Sequence, residues 1–134
     1  MRDCTRTISR MNPDKVLWSA IAFSTMLYAF IAWTIAPNPE QSFEASARAP
    51  ITMALYGAAL ATFVAAKLVR GAMRNSPARV RMVVGLAMNE ACAIFGLVAA
   101  ILQHDWRLYL PAWALALAGF LRYWPSDEVS APAA

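Results

Sequence analysis

One carboxyl in this chain sits where carboxyls are rare. Glu90 lies within the apolar run 82–102, which holds no other Asp, Glu, Lys or Arg. It comes nine residues after Arg81, so on a helix rising about 1.5 Å per residue it is about 13 Å deep, near a bilayer midplane. A charged carboxylate there costs at least roughly 2.5–3.5 kcal/mol, and desolvation favours its neutral form. Two kinds of chemistry suit such a group. It takes up and releases a proton, or it accepts hydrogen bonds from a neighbouring helix, with Tyr28, Tyr56 and Thr62 as candidate donors. The second kind is worth only about 0.6 kcal/mol per contact on average.

Little else in the chain offers chemistry. His104-Asp105 would need further ligands to hold a metal or relay a proton, and topology brings only Glu40 and Glu44 to the same side. A solvated turn is the expectation there. The chain has no Gly-rich phosphate loop, no Ser/His/Asp or Cys/His set and no Cys-x-x-Cys. No catalytic residue, metal site or cofactor is expected. Cys4 falls in the N-terminal tail and Cys92 inside an apolar run, so no disulfide is expected either.

The elements that must position Glu90 follow from composition. Of 134 residues, 60% are apolar or aromatic and 15% charged, whereas soluble domains carry roughly 25% charge. The chain is too apolar for a soluble surface and far too apolar for disorder. Four stretches approach the roughly 20 residues that cross a bilayer: 16–36, 51–69, 82–102 and the shortest, 108–124. Their apolar runs are continuous rather than alternating, which predicts helices and not a barrel. Asn12-Pro13-Asp14 makes a good helix start, as cap, first-turn proline and acid at the positive dipole end. Either Met1 or Met11 would serve as initiator. Pro37 and Pro39 stop the first helix, whose apolar core of about 21 residues is too long for a cleaved signal. Residues 125–134 read as a disordered polar tail.

Basic residues give the orientation. Arg2, Arg6, Arg10, Lys15, Lys67, Arg70, Arg74, Arg79, Arg81 and Arg122 fall on one side, and only Arg48 and Arg107 on the other. The positive-inside rule makes both termini and the central loop cytoplasmic. Basic residues placed this way, between apolar runs, speak against nucleic-acid binding. Trp18, Trp33, Trp106, Tyr109, Tyr123 and Trp124 fall near span ends and read as an interfacial aromatic belt.

Small residues predict the packing. Gly85, Asn89, Cys92 and Gly96 share one face of the third span, and Ala54, Ala58, Ala61 and Ala65 form a stripe on the second. Such stripes let helices approach closely. The reading joins spans two and three as a hairpin through these two stripes. It leaves Glu90 on the opposite, apolar face with Val83, Ala87, Ile94, Leu97 and Ile101, pointing outward.

The central hairpin resembles a known family. Residues 57–102 resemble the helical hairpin of the rotary ATP synthase c subunit, the proteolipid of the membrane rotor ring. Glu90, Ala91, Ala93, Ile94, Phe95, Gly96, Leu97 and Val98 match its pattern of an ion-binding carboxylate followed by Ala-X-Ala-Ile-aromatic-Gly-Leu-Val. Arg74-Asn75-Ser76-Pro77 resembles its polar cytoplasmic loop. The resemblance implies that Glu90 binds an ion. Ala91, where sodium-binding members often carry a hydroxyl, makes that ion a proton.

These readings together predict an all-α membrane protein of four transmembrane helices in a single membrane domain, with a c-subunit-like central hairpin. It would lie in a bacterial inner membrane, in contact with lipid, as a homo-oligomer or as a subunit of a larger membrane complex. The alternative is a non-catalytic structural subunit or assembly factor in which Glu90 makes an interhelical contact. A small transporter is disfavoured by the single ionisable residue and the absence of an inverted repeat.

Overall fold

The computed structural model describes residues 13–36 and 43–124. Within them α1 runs Pro13–Ile35, α2 Phe43–Arg48, α3 Pro50–Ala72, α4 Ala78–Leu102 and α5 Tyr109–Arg122, with a 3-10 turn at Trp106–Leu108 before α5. Met11, the Asn12 cap, Pro37, Pro39, Glu40, Cys4 and the 125–134 tail lie outside the described residues.

Three helices, α1, α3 and α4, are long and apolar enough to cross a membrane. The fourth expected span is shorter than 108–124. α5 has 14 residues, about 21 Å of helix, and the 3-10 turn adds roughly 6 Å. Against the expected bounds α5 loses one residue at its start and two at its end. Asp105 caps the turn by accepting from the Arg107 backbone N–H, so regular helix begins only at Tyr109. Pro111 then fits within the first turn of α5, where its missing N–H costs nothing.

α4 is the axis of the bundle. It packs against α1, α3 and α5, while α1 and α3 do not touch among the described residues. Direction alternates. Asp14 and Arg79 pair at 3.3 Å, the Arg70 guanidinium lies 5.3 Å from the Tyr123 ring centroid, and the Trp18 indole N–H donates to the Phe120 carbonyl at 3.0 Å. The starts of α1 and α4 and the ends of α3 and α5 therefore share one end, as the basic count requires. At the other end the Tyr56 hydroxyl donates to the Leu108 carbonyl at 2.7 Å.

The small stripe of α4 faces a different partner from the one expected. Gly85, Asn89, Cys92 and Gly96 are buried, but against α5. A Cβ at Gly96 would meet the Ala112 methyl, one at Gly119 would meet the Asn89 amide, and one at Gly85 would meet the Tyr123 ring. The Cys92 thiol points at the Ala112 carbonyl, 3.9 Å away. On α3 the buried residues are Thr52, Ala59 and Ala66, whereas Ala54 and Ala61 are exposed and Ala58 and Ala65 half-buried. The predicted α3 stripe is thus rotated out of the hairpin. Six alanines spread over 54–66 put small residues on several faces, and spacing cannot choose between them.

These contacts order a substitution series. Gly96→Ala should destabilise most, by about 1–3 kcal/mol, because only backbone movement relieves a methyl–methyl clash. Gly119→Ala should cost less, since Asn89 can turn away by giving up its bond to the Gly85 carbonyl, 2.9 Å long. Gly85→Ala needs only a swing of the Tyr123 ring and should cost least. Gly57→Ala, with nothing within 4 Å, should be neutral or stabilising by up to about 1 kcal/mol. Thermal unfolding of the four variants in one detergent checks the order.

Candidate functional site

Glu90 is the midpoint of its helix, twelve residues after Ala78 and twelve before Leu102. It is half-buried, and its surroundings differ from the outward exposure expected. α1 runs beside it. The Ser24 hydroxyl lies 2.8 Å and the Tyr28 hydroxyl 2.9 Å from the same carboxyl oxygen, Oε1. Ser24 and Tyr28 are four residues apart, so the helical repeat aims both at one point. The rest of the predicted face stays open: Val83, Ala87 and Ile94 are exposed, and Leu97 and Ile101 half-buried. α1 thus covers Glu90 on one flank of a face that is otherwise bare.

Of the three hydroxyls expected as candidate donors, Tyr28 is the one that reaches Glu90. Thr62 donates to the Ala58 carbonyl of its own helix at 2.8 Å, and Tyr56 is committed to Leu108. Ser24 was not anticipated from the sequence. Its signal was there, as a hydroxyl one turn before Tyr28 in a span with no charge.

Two further groups hold α1 in register. The Tyr109 hydroxyl donates to the Thr25 carbonyl at 2.6 Å, next to Ser24, and the Trp18 indole N–H ties the start of α1 to α5. Tyr109 is 1% exposed and Tyr123 9%, so both belong to the core and not to an interfacial belt. Helix ends in a tight bundle lie over neighbouring helices, and nearness to a span end does not show which way a ring turns. Trp33 and Trp124 remain exposed, as the belt reading has it.

The turn at His104-Asp105 also differs from expectation. His104 is exposed with φ 51°, but Asp105 is 0% exposed. Its carboxylate accepts from Arg107 Nε at 2.8 Å and Nη2 at 2.9 Å. That pairing holds the Arg107 guanidinium above its ordinary pKa and satisfies the buried carboxylate. Asp105 is a buried structural cap rather than the solvated acid expected. Glu44, the other acid on this side that is described, is exposed and pairs with Arg48 at 3.6 Å. No group of three His, Cys, Asp or Glu side chains that could hold a metal is present among the described residues.

The carboxyl therefore sits at the middle of the second helix of a tight antiparallel hairpin, followed by Ala-Cys-Ala-Ile-Phe-Gly. Residues 45–103 match the family model for the c subunit of ATP synthase. The chain thus carries an ATP synthase c subunit-like hairpin on membrane-length helices. No curated protein and no solved structure matches the chain significantly. The c-like match spans the whole of α3 and α4 with their connecting loop. α1, which supplies Ser24 and Tyr28, and α5, which fills the small face of α4, both lie beyond it.

Proposed function

We propose that this c-subunit-like protein binds and releases a proton at Glu90, as an oligomer or as one subunit of a larger membrane complex. The observation that carries the reading is a carboxyl at the centre of a membrane-length helix, inside the c-like segment and open on one flank. Two hydroxyls meeting on one carboxyl oxygen support it, because they stabilise the charged form that proton release leaves behind. In this proposal all four apolar segments cross the bilayer, with α5 as a short fourth span. The basic end, carrying Lys15, Lys67, Arg70, Arg74, Arg79, Arg81 and Arg122, is cytoplasmic in a bacterial inner membrane.

Carbodiimide labelling of the detergent-purified protein across pH, read by intact mass, tests this. Carbodiimides react with protonated carboxyls, so one adduct is expected, located at Glu90 by peptide mapping, with a yield that falls as pH rises. Native-mode mass on the same sample reads the oligomer. No adduct at any pH would overturn the proton-binding reading.

A second reading has its own observation. The bonds from Ser24 and Tyr28 join α1 to α4 at mid-membrane, so Glu90 would serve as an interhelical anchor in a structural or assembly subunit.

A further inference from the structure

Ser24 has one hydroxyl hydrogen, and both a carbonyl and a carboxyl oxygen lie within its reach beside the Tyr28 hydroxyl. Its Oγ lies 2.7 Å from the carbonyl of Ile21 and 2.8 Å from Glu90 Oε1. A serine hydroxyl donates once and accepts up to twice, so it can serve only one of these oxygens as donor at a time. When Glu90 is charged, the hydrogen belongs on the carboxylate, where the bond is charge-assisted and stronger. When Glu90 carries a proton on Oε1, that proton needs an acceptor. Ser24 Oγ is in place to accept it once its own hydrogen turns to Ile21. Tyr28 donates to Oε1 and also lies within hydrogen-bond reach of the Ser24 hydroxyl.

We propose that Ser24 of α1 is a two-position hydroxyl switch for Glu90, turning its hydrogen between the carboxylate and the Ile21 carbonyl as Glu90 loses or gains a proton. The proposal rests on the proton-binding reading of Glu90 and assigns positioning roles to two residues outside the c-like segment. The switch keeps the Ser24 hydroxyl and Glu90 Oε1 paired in both protonation states. In hydrocarbon that matters, because an unpaired polar group finds no water.

The other ionisable groups near Glu90 are few: Cys92 two residues on, and Tyr109 of α5, which lies near Tyr28 and donates to the Thr25 carbonyl. Besides Tyr28, α1 carries only Asp14 and Lys15, at its start. α3 has none between Tyr56 and Lys67, and α5 none between Tyr109 and Arg122. On α4 itself only Cys92 lies between Arg81 and Leu102 besides Glu90, and its thiol turns to Ala112. A change in the pH profile of Glu90 can therefore be read at its hydroxyls.

The test compares wild type with Ser24→Ala, Ser24→Thr and Tyr28→Phe in the full chain, by carbodiimide labelling against pH and by the infrared carbonyl stretch of protonated Glu90, isolated by difference from Glu90→Gln. Loss of a donor to the carboxylate disfavours the charged form. Ser24→Ala should therefore keep Glu90 reactive to higher pH, by about one unit or a tenfold change in proton affinity. It should also shift the carbonyl stretch, because the protonated carboxyl loses its acceptor. Ser24→Thr restores a hydroxyl and should restore both. Tyr28→Phe should move the pH profile in the same direction. Identical profiles and stretches in wild type, Ser24→Ala and Ser24→Thr would overturn the switch while leaving proton binding at Glu90 intact. Absence of labelling in all of them would overturn the reading beneath it.

Discussion

Glu90→Gln should abolish carbodiimide labelling and every pH-dependent property that Glu90 confers while leaving the fold nearly unchanged, whereas Glu90→Leu should lose both. The geometry separates the two substitutions. Ser24 and Tyr28 both converge on one oxygen, Oε1, and a glutamine keeps a carbonyl oxygen of the same reach in that position. It therefore preserves the interhelical bonds and removes only the titration. Leucine removes the acceptor, leaving the Tyr28 hydroxyl without its partner and Ser24 with Ile21 alone. That should cost about 1–2 kcal/mol, of the order of one lost polar contact and one unpaired hydroxyl in an apolar setting. Thermal unfolding and labelling, measured on both variants, divide the proton-binding reading from the structural one. If the Gln variant keeps stability and assembly but changes a proton-dependent property of the membrane, Glu90 titrates as part of its work. If it changes neither, the bonds to α1 are the whole of its role.

The parts legible in the sequence are those that depend on one helix at a time. Length and apolarity located α1, α3 and α4, charge asymmetry placed the basic segments at one end, and the mid-helix place of Glu90 followed from counting residues. The 57–102 resemblance falls inside the matched 45–103. What stayed hidden depends on how helices rotate against one another. A helix that is apolar on all sides has no hydrophobic stripe to tell core from lipid, and near-uniform apolarity describes these helices. The Gly85, Asn89, Cys92 and Gly96 stripe announced a close partner without naming it, and α5 took the place assigned to α3. α3 packs on another face of α4, through Thr52, Ala59 and Ala66, which recur every seven residues. The face of Glu90 was then read as lipid-facing because nothing in the spacing of α1 says which way Ser24 and Tyr28 turn.

With α5 on one face of α4 and α1 against Glu90, the c-like hairpin has part of its surface closed by its own chain. The open surface that remains is on α3, where Ile51, Met53, Leu60, Val64 and Leu68 are exposed, and on the strip of α4 at Val83, Ala87 and Ile94. Glu90 sits at the border between the closed and open parts. That border is what lets one residue be both held by α1 and reached from outside.

Tyr109→Ala should cost more stability than any of the glycine or Glu90 substitutions, about 3 kcal/mol or more, and should also free Glu90 from α1. Tyr109 heads the largest fully buried side chains and sits where the 3-10 turn becomes α5. Lipid solvates apolar groups as well as protein does, so the loss comes from packing rather than from transfer to water. The cavity left by a truncated ring forfeits dispersion contacts that neighbouring helices cannot recover without moving. The 2.6 Å bond from its hydroxyl to the Thr25 carbonyl adds about 1 kcal/mol, and Tyr109→Phe should cost only that much. Because Thr25 adjoins Ser24, the same bond sets the register in which α1 meets Glu90. The Ala variant should accordingly be labelled at Glu90 faster than wild type at a pH where both are fully protonated, a difference of access and not of proton affinity. Tyr109→Phe, which keeps the ring, should lie close to wild type in labelling rate. Equal rates in all three would mean that α1 holds Glu90 without help from α5.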